Sequence, residues 1–168
     1  MRFLLLVLLT VSTGAGAAAD AAIDCNQFEN RARQIRGCTE YIRGGKTISE
    51  NLAVAYTNRG IAHASNGDKK LALADFREAI HLAPQSPYPY YNRANAFYDL
   101  QDYARALEDY DAAIDRSPEL ALAYYNRGLT HEKMGKRDKS IEDFRKALTL
   151  DPSSQLAKKR LDKLGIKR

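Results

Sequence analysis

The sequence is short of the residues that chemistry-bearing motifs require. It has no tryptophan, two cysteines and three histidines in 168 residues. The cysteines, Cys25 and Cys38, form no Cys-x-x-Cys and have no histidine beside them, so neither a dithiol redox centre nor a metal site is expected. No phosphate-binding glycine loop, zinc motif or nucleophile elbow occurs, and no histidine has a credible set of catalytic partners. The expectation is a protein that is not an enzyme and carries no cofactor or metal. Only five prolines and no long polar tract are present, which argues against wholesale disorder. The net charge is +5, but the basic residues are scattered apart from one C-terminal cluster. A nucleic-acid face needs clustered Lys and Arg, and no nucleic acid is expected as a partner.

No apolar run is long enough to span a bilayer. The longest, Phe3 to Val11, is about half of the ~20 residues required. It follows Met1-Arg2 and precedes small residues ending in Ala17-Ala18-Ala19. This is the layout of a secretory signal, with cleavage expected between Ala19 and Asp20. An uncleaved anchor is the alternative. No cysteine stands at the cleavage point, so a lipoprotein anchor is not supported. The mature chain is expected to be exported, periplasmic or secreted, with no transmembrane segment.

Residues 20–52 are read as an N-terminal helical block. In an exported protein an even cysteine pair reads first as a disulfide and second as buried free thiols. One unbroken helix between Cys25 and Cys38 would hold the sulfurs ~20 Å apart at its 1.5 Å rise per residue. A bond therefore needs a turn, placed around Gln27–Asn30, with a helix starting near Arg31. Ile35, Cys38 and Ile42 recur at helical spacing, and Phe28 and Ala32 extend the stripe. Gly44-Gly45 ends this helix. Thr47-Ile48-Ser49-Glu50 has capping-box spacing, so another begins close by.

What is present is a period. Asn58, Asn92 and Asn126 are 34 residues apart, as are Asp75, Asp109 and Asp143, and Pro84, Pro118 and Pro152. A fixed period of this size marks stacked helical units, here 53–86, 87–120 and 121–154. Small residues share slots (Gly60/Ala94/Gly128, Ala72/Ala106/Ser140, Ala79/Ala113/Ala147) beside large ones (Tyr56/Tyr90/Tyr124, His63/Phe97/His131, Phe76/Tyr110/Phe144). Small beside large lets antiparallel helices interlock.

This pattern resembles the tetratricopeptide repeat over residues 53–154. The resemblance implies an all-α, right-handed solenoid of three helix-turn-helix units. The block before it is a possible degenerate repeat, and residues 155–168 form a C-terminal capping helix. It also implies that the first helices line a concave groove for a protein or peptide. The groove candidates are Thr57, Asn58, Tyr88, Tyr91, Asn92, Asn95, Tyr98, Tyr125, Asn126 and Leu129. The asparagine row either bonds a ligand backbone or ties neighbouring helices. The family's carboxylate-binding version needs Lys, Asn, Asn, Lys and Arg at slots that here hold Thr57, Ile61, Asn92, Leu122 and Asn126, so that version is not expected.

One departure is shared by all three units. Arg59, Arg93 and Arg127 replace the usual large apolar residue before the small slot. They are expected to pair with Asp75, Asp109 and Asp143, either within each unit or offset by one, because Arg suits a half-buried bidentate pairing. A basic ligand clamp is the alternative. In the tail, Ala157, Leu161 and Leu164 share one helical face and Lys158, Lys159, Arg160 and Lys163 lie elsewhere. A cap is expected there, with contact to anionic lipid or an acidic partner as the alternative. The functional expectation is a non-catalytic binding module whose oligomeric state is open, with an assembly subunit of a cell-envelope complex as the alternative.

Overall fold

A computed structural model describes residues 13–45 and 48–166. Among the described residues there are nine α-helices and no strand. They are α1 (Thr13–Asn26), α2 (Arg31–Gly44), α3 (Ser49–Ser65), α4 (Lys69–Leu82), α5 (Pro87–Asp99), α6 (Tyr103–Arg116), α7 (Ala121–Lys133), α8 (Arg137–Leu150) and α9 (Gln155–Lys163). The chain divides into two compact units between Pro84 and Gln85.

In the N-terminal unit each helix packs on the next, α1 to α4, and α1 also touches α3. The turn after α1 is built by short polar side chains. Asn30 caps α2 by accepting from Arg33 N at 3.0 Å, and Gln27 Oε1 accepts from Asn30 N at 2.9 Å. Gly45 closes α2 at φ 61°, a left-handed conformation that glycine adopts without penalty. The Sγ atoms of Cys25 and Cys38 lie 2.10 Å apart, with Cα atoms 4.4 Å apart. Both cysteines are buried, beside Ala55 of α3. Phe28 and Ala32, expected on the apolar stripe, are instead exposed: Phe28 falls in the turn, and Ala32 sits in the first turn of α2. Thr47 lies outside the described residues, and Ile48 holds the cap position of α3 without a side-chain bond.

The C-terminal unit runs α5 to α9 in the same fashion, with α5 also touching α7. Pro87 stands in the first turn of α5, where its missing N–H costs nothing. Ser86 occupies the cap position, but its side chain makes no capping bond. The buried layer alternates as size complementarity demands. Phe76, Tyr110 and Phe144 are almost wholly buried, each contributing on the order of 1.5–3 kcal/mol by area. The opposing helix makes room: a Cβ on Gly60 would lie 2.6 Å from Phe76 Cε1, and one on Gly128 would lie 2.8 Å from Phe144 Cε1.

Helix starts reveal two registers. The first helices α5, α7 and α9 begin at 87, 121 and 155, one repeat apart. So α9 keeps the first-helix spacing, with Ala157 buried and Leu161 packed against Ile141 and Phe144. The second helices α2, α4, α6 and α8 begin at 31, 69, 103 and 137. The N-terminal pair is thus spaced 38 residues from the next pair rather than 34, and the extra residues lengthen α3, which has 17 residues where α5 and α7 have 13.

Candidate ligand-binding groove

The groove candidates do not share one fate. In the N-terminal unit Thr57 and Asn58 are buried. The Thr57 hydroxyl donates to Ala53 O of its own helix at 2.7 Å. Asn58 Nδ2 donates to Cys25 O at 3.3 Å and to Asn26 Oδ1 at 3.0 Å. The end of α1 thus meets the Asn58 amide, and the Thr57 hydroxyl is spent within its own helix.

The C-terminal unit presents its candidates differently. Tyr88, Leu122 and Leu156 occupy one slot on α5, α7 and α9, and they are 60%, 54% and 57% exposed. Beside them Tyr91, Asn92, Asn95, Tyr98, Tyr125, Asn126 and Leu129 are half-buried. Asn92 Nδ2 donates to Tyr88 O within its own helix at 2.9 Å. Asn126 Nδ2 donates to Tyr91 Oη at 3.0 Å and to Asn95 Oδ1 at 2.9 Å. Tyr110, on α6, donates to the same Asn95 Oδ1 at 2.6 Å. These bonds stitch α5, α6 and α7 beneath a pocket of ≈ 260 Å³ lined by Asn95, Tyr98, Asp99, Tyr110, Asn126 and Leu129. Burial pushes the Tyr110 and Tyr98 phenols up from their ordinary value, so both stay protonated at physiological pH. The ring of Tyr98 meets Tyr103 edge-on at 5.6 Å, and Tyr125 leans on Phe144 at 5.6 Å.

Tyr110 and Arg160 were not among the sequence candidates. Tyr110 lies on a second helix, and only the packing shows its hydroxyl at the pocket floor. Arg160 stands one repeat beyond Asn126, so the 34-residue spacing carried the signal. Its guanidinium lies 3.3 Å from Glu132, and Lys163 lies 3.8 Å from the same carboxylate.

The three arginines pair within their own repeats. Arg59 Nε and Nη2 donate to Asp75 at 2.9 and 2.7 Å. Arg93 makes the same two bonds to Asp109, both at 2.7 Å, and Arg127 makes them to Asp143 at 3.0 and 2.6 Å. Each guanidinium also lies over the tyrosine three residues before it, at 5.3 to 5.9 Å, a favourable cation–π position. Sequence reading missed two further acceptors on the preceding helices: Thr39 Oγ1 for Arg59 at 3.2 Å and Asp111 for Arg127 at 2.6 Å. Hydrogen bonds to Asp75 and Asp109 hold Arg59 and Arg93 above the ordinary guanidinium value. For Arg127, desolvation works downward and is outweighed by Asp143 and Asp111.

His131 sits beside this lock, with Nε2 3.9 Å from Asp143 Oδ2, too far for a hydrogen bond. Its buried Nδ1 finds no partner among the described residues. Burial disfavours the imidazolium and holds His131 below its ordinary value. Asp143 opposes this, while Arg127, Lys139 and Lys136 add to it. The folded protein therefore binds this proton less readily than the unfolded chain. Its stability is intact above the unfolded value of about 6.5 and falls as pH drops through that value toward the lower folded one. The middle repeat has Phe97 in this slot. Replacing His131 with Phe is expected to raise the melting temperature at pH 5 relative to wild type more than at pH 8. An equal change at both would show that the imidazole is no burden.

The comparisons bear on this architecture. The Tetratricopeptide repeat profile matches residues 53–86 and 121–154, and a second TPR repeat profile matches 94–135. The chain belongs to the tetratricopeptide repeat (TPR) family. No curated protein sequence matches it. Among solved structures, MamA residues 41 to the end from Desulfovibrio magneticus RS-1 is similar with TM-score 0.75 at 25% identity, over 90% of this chain and 83% of that one. The Arabidopsis OM64 TPR domain gives 0.68 at 27%, over 70% and 97%. The second TPR domain of human RPAP3, solved with the HSP70 peptide SGPTIEEVD, gives 0.64 at 26%, over 68% and 96%. In this TPR chain no described helix is long and apolar enough to cross a membrane. Among the described residues no group of three His, Cys, Asp or Glu side chains is placed to hold a metal ion.

Proposed function

We propose that this TPR protein is a non-catalytic interaction module that holds a protein segment against α5, α7 and α9. The observation that carries the reading is the exposed row Tyr88, Leu122 and Leu156, set beside half-buried tyrosines and asparagines. Large side chains with polar tips are favoured at interfaces, and a repeated slot offers a segment equivalent anchors on successive helices. The peptide bound by the RPAP3 domain supports the same use of the fold here. A photo-crosslinking residue at position 88 or 122 is expected to capture one partner, and one at Glu108 is expected to capture none. Leu122→Asp should abolish the adduct formed from position 88. Equal capture from all three positions would instead favour a subunit embedded in a larger assembly, and capture from Glu108 alone would sink both readings.

The reading includes export. The buried positions of α1 described here are Ala21 and Cys25, while Ala17, Ala19 and Asp20 are exposed. Cleavage between Ala19 and Asp20 would therefore remove none of that packing and would leave Cys25 beside Cys38. The Phe3–Val11 run lies outside the described residues. An intact mass of the mature protein tests both parts: it should lack residues 1–19 and be lighter by two hydrogens than the thiol form. Retention of Met1 would end the export reading, and a full complement of thiol hydrogens would end the disulfide.

A further inference from the structure

Charge is unevenly shared within the C-terminal unit. Residues 85–132 hold four Lys and Arg against eight Asp and Glu, whereas residues 133–168 hold twelve against five. Contacts gather part of this excess at one end of the unit. Arg137, at the start of α8, donates from Nη2 to Leu164 O just past the end of α9. Lys163 lies 3.8 Å from Glu132, the residue before Lys133. The α7–α8 turn and the end of α9 are therefore neighbours. Residues 133–139 are exposed without a break, and nothing lies within 4 Å of the Cβ position at Gly135, so the turn protrudes. Met134, 39% exposed, stands in it, with Lys133 before it and Lys136 after. Among the described residues neither lysine is in an ion pair. The middle repeat builds the same turn with Asp99 and Asp102 in the slots of Lys133 and Lys136. Asp102 caps α6 by accepting from Arg105 N, while Lys136 at the cap position of α8 makes no side-chain bond. Positive charge at a helix N-terminus opposes the dipole, so the fold has no use for lysine there. A repeated slot whose charge reverses against the interest of its own helix points to a partner.

We propose that this end of the C-terminal unit is a docking surface for an anionic lipid bilayer. A bilayer presents diffuse negative charge, which is read by the number of point charges brought near it. Lysine, a compact charge on a flexible stem, suits that use, whereas the fork of arginine suits individual carboxylates. The unit divides its cations in this way. Arg93 and Arg127 are committed to Asp109 and Asp143, and Arg137 to Leu164 O, while Lys133, Lys136 and Lys163 are exposed. On a protruding turn the lysine stems and Met134 can lie along the headgroups with the ammonium groups in water. A peptide would instead want a concave seat. The acidic stretch 85–132 is repelled by the same surface, which leaves the basic end to approach it. The proposal is independent of the groove reading.

The full chain is sedimented with vesicles of phosphatidylglycerol and phosphatidylcholine in equal parts, and with vesicles of phosphatidylcholine alone. Binding is expected to the first and not to the second, and it should fall steeply between about 0.05 and 0.5 M salt. Lys133→Gln, Lys136→Gln and Lys163→Gln together should lower the partition coefficient about a hundredfold, roughly fivefold for each lysine. The melting temperature of this variant is expected to hold or rise, because α8 sheds positive charge from its start. Arg36→Gln, Lys70→Gln and Arg77→Gln together remove the same charge from exposed positions of the N-terminal unit and should leave partitioning nearly unchanged. The chain has no tryptophan, so Met134→Trp reports on the turn alone, and its emission should shift to the blue on the anionic vesicles. No binding, equal binding to both vesicles, equal losses in the two triple variants or an unshifted emission overturns the proposal. Binding of poly-glutamate without binding of anionic vesicles overturns it as well and assigns the patch to an acidic protein. Crosslinking from positions 88 and 122 depends on none of these results.

Discussion

Replacing Arg93 with alanine is expected to destabilise the protein by about 2–4 kcal/mol, somewhat below the 3–5 typical of a fully buried pair because the arginine is partly exposed. The side chains of Arg93 and Asp109 are 23% and 9% exposed. Truncation leaves Asp109 buried on α6 without the two 2.7 Å bonds it now accepts, and it strips a cation from the face of Tyr90. The cost is therefore mainly that of an orphaned carboxylate. In a chain of this size that is a fall in melting temperature of roughly 5–15 °C. The double variant Arg93→Leu with Asp109→Leu separates this account from simple loss of packing, since with both charges gone it is expected to recover most of the deficit. A single variant that melts with the wild type would show that the pair is ornamental. A double variant as unstable as the single one would place the cost in packing.

Gly37→Leu is expected to open the N-terminal hairpin. A Cβ at Gly37 would stand 2.4 Å from Asp24 Cβ and 2.8 Å from the backbone atoms Asp24 C and Cys25 N. Backbone cannot swing aside as a side-chain tip can, so α1 must move off α2. Gly37 directly precedes Cys38, whose sulfur is at bonding distance from Cys25. The expected cost is about 1–3 kcal/mol of overpacking. Failure to close the small loop adds on the order of 3 kcal/mol in the chain-entropy model. With the Cys25–Cys38 bond proposed above, thiol titration in denaturant without reductant should find free cysteines in the variant and none in the wild type, with a lower melt. Gly44→Ala is the control, because nothing lies within 4 Å of its Cβ position. Equal behaviour of the two variants would refute the close contact.

Why some features were legible and others not follows from what a period can encode. Slots at 34-residue intervals name the residues that meet inside a repeat, because each helix pair solves the same packing problem. Gly60 with Phe76 and Gly128 with Phe144 are instances. A period says nothing about what covers a slot at the end of a row. Asn58 occupies the same slot as Asn126, yet it bonds Cys25 and Asn26 because α1 ends there. The N-terminal pair escaped self-comparison because the four extra residues of α3 put it out of register. Gln101 hides in a similar way: it takes φ 61° where the other repeats use Gly67 and Gly135, so backbone geometry is shared where residue type is not. The pocket was only half visible, since Asn95, Tyr98, Asn126 and Leu129 lie on first helices but Tyr110 reaches it from α6.

The repeats and the N-terminal hairpin are fastened by different chemistry, and this gives the surroundings control over how much of the chain is folded. Arg–Asp pairs are indifferent to thiols, so α3–α4 and the units of the second half keep their fasteners whatever the redox poise. Among the described residues the α1–α2 hairpin has only the more exposed pair Arg33–Asp24 beside Cys25, Cys38 and a few small buried neighbours. In an oxidising compartment the helical array begins at α1. In a reducing one the same chain would hold that hairpin by its modest buried surface and the exposed Arg33–Asp24 pair, and loosening it would uncover Asn58, whose amide bonds the end of α1.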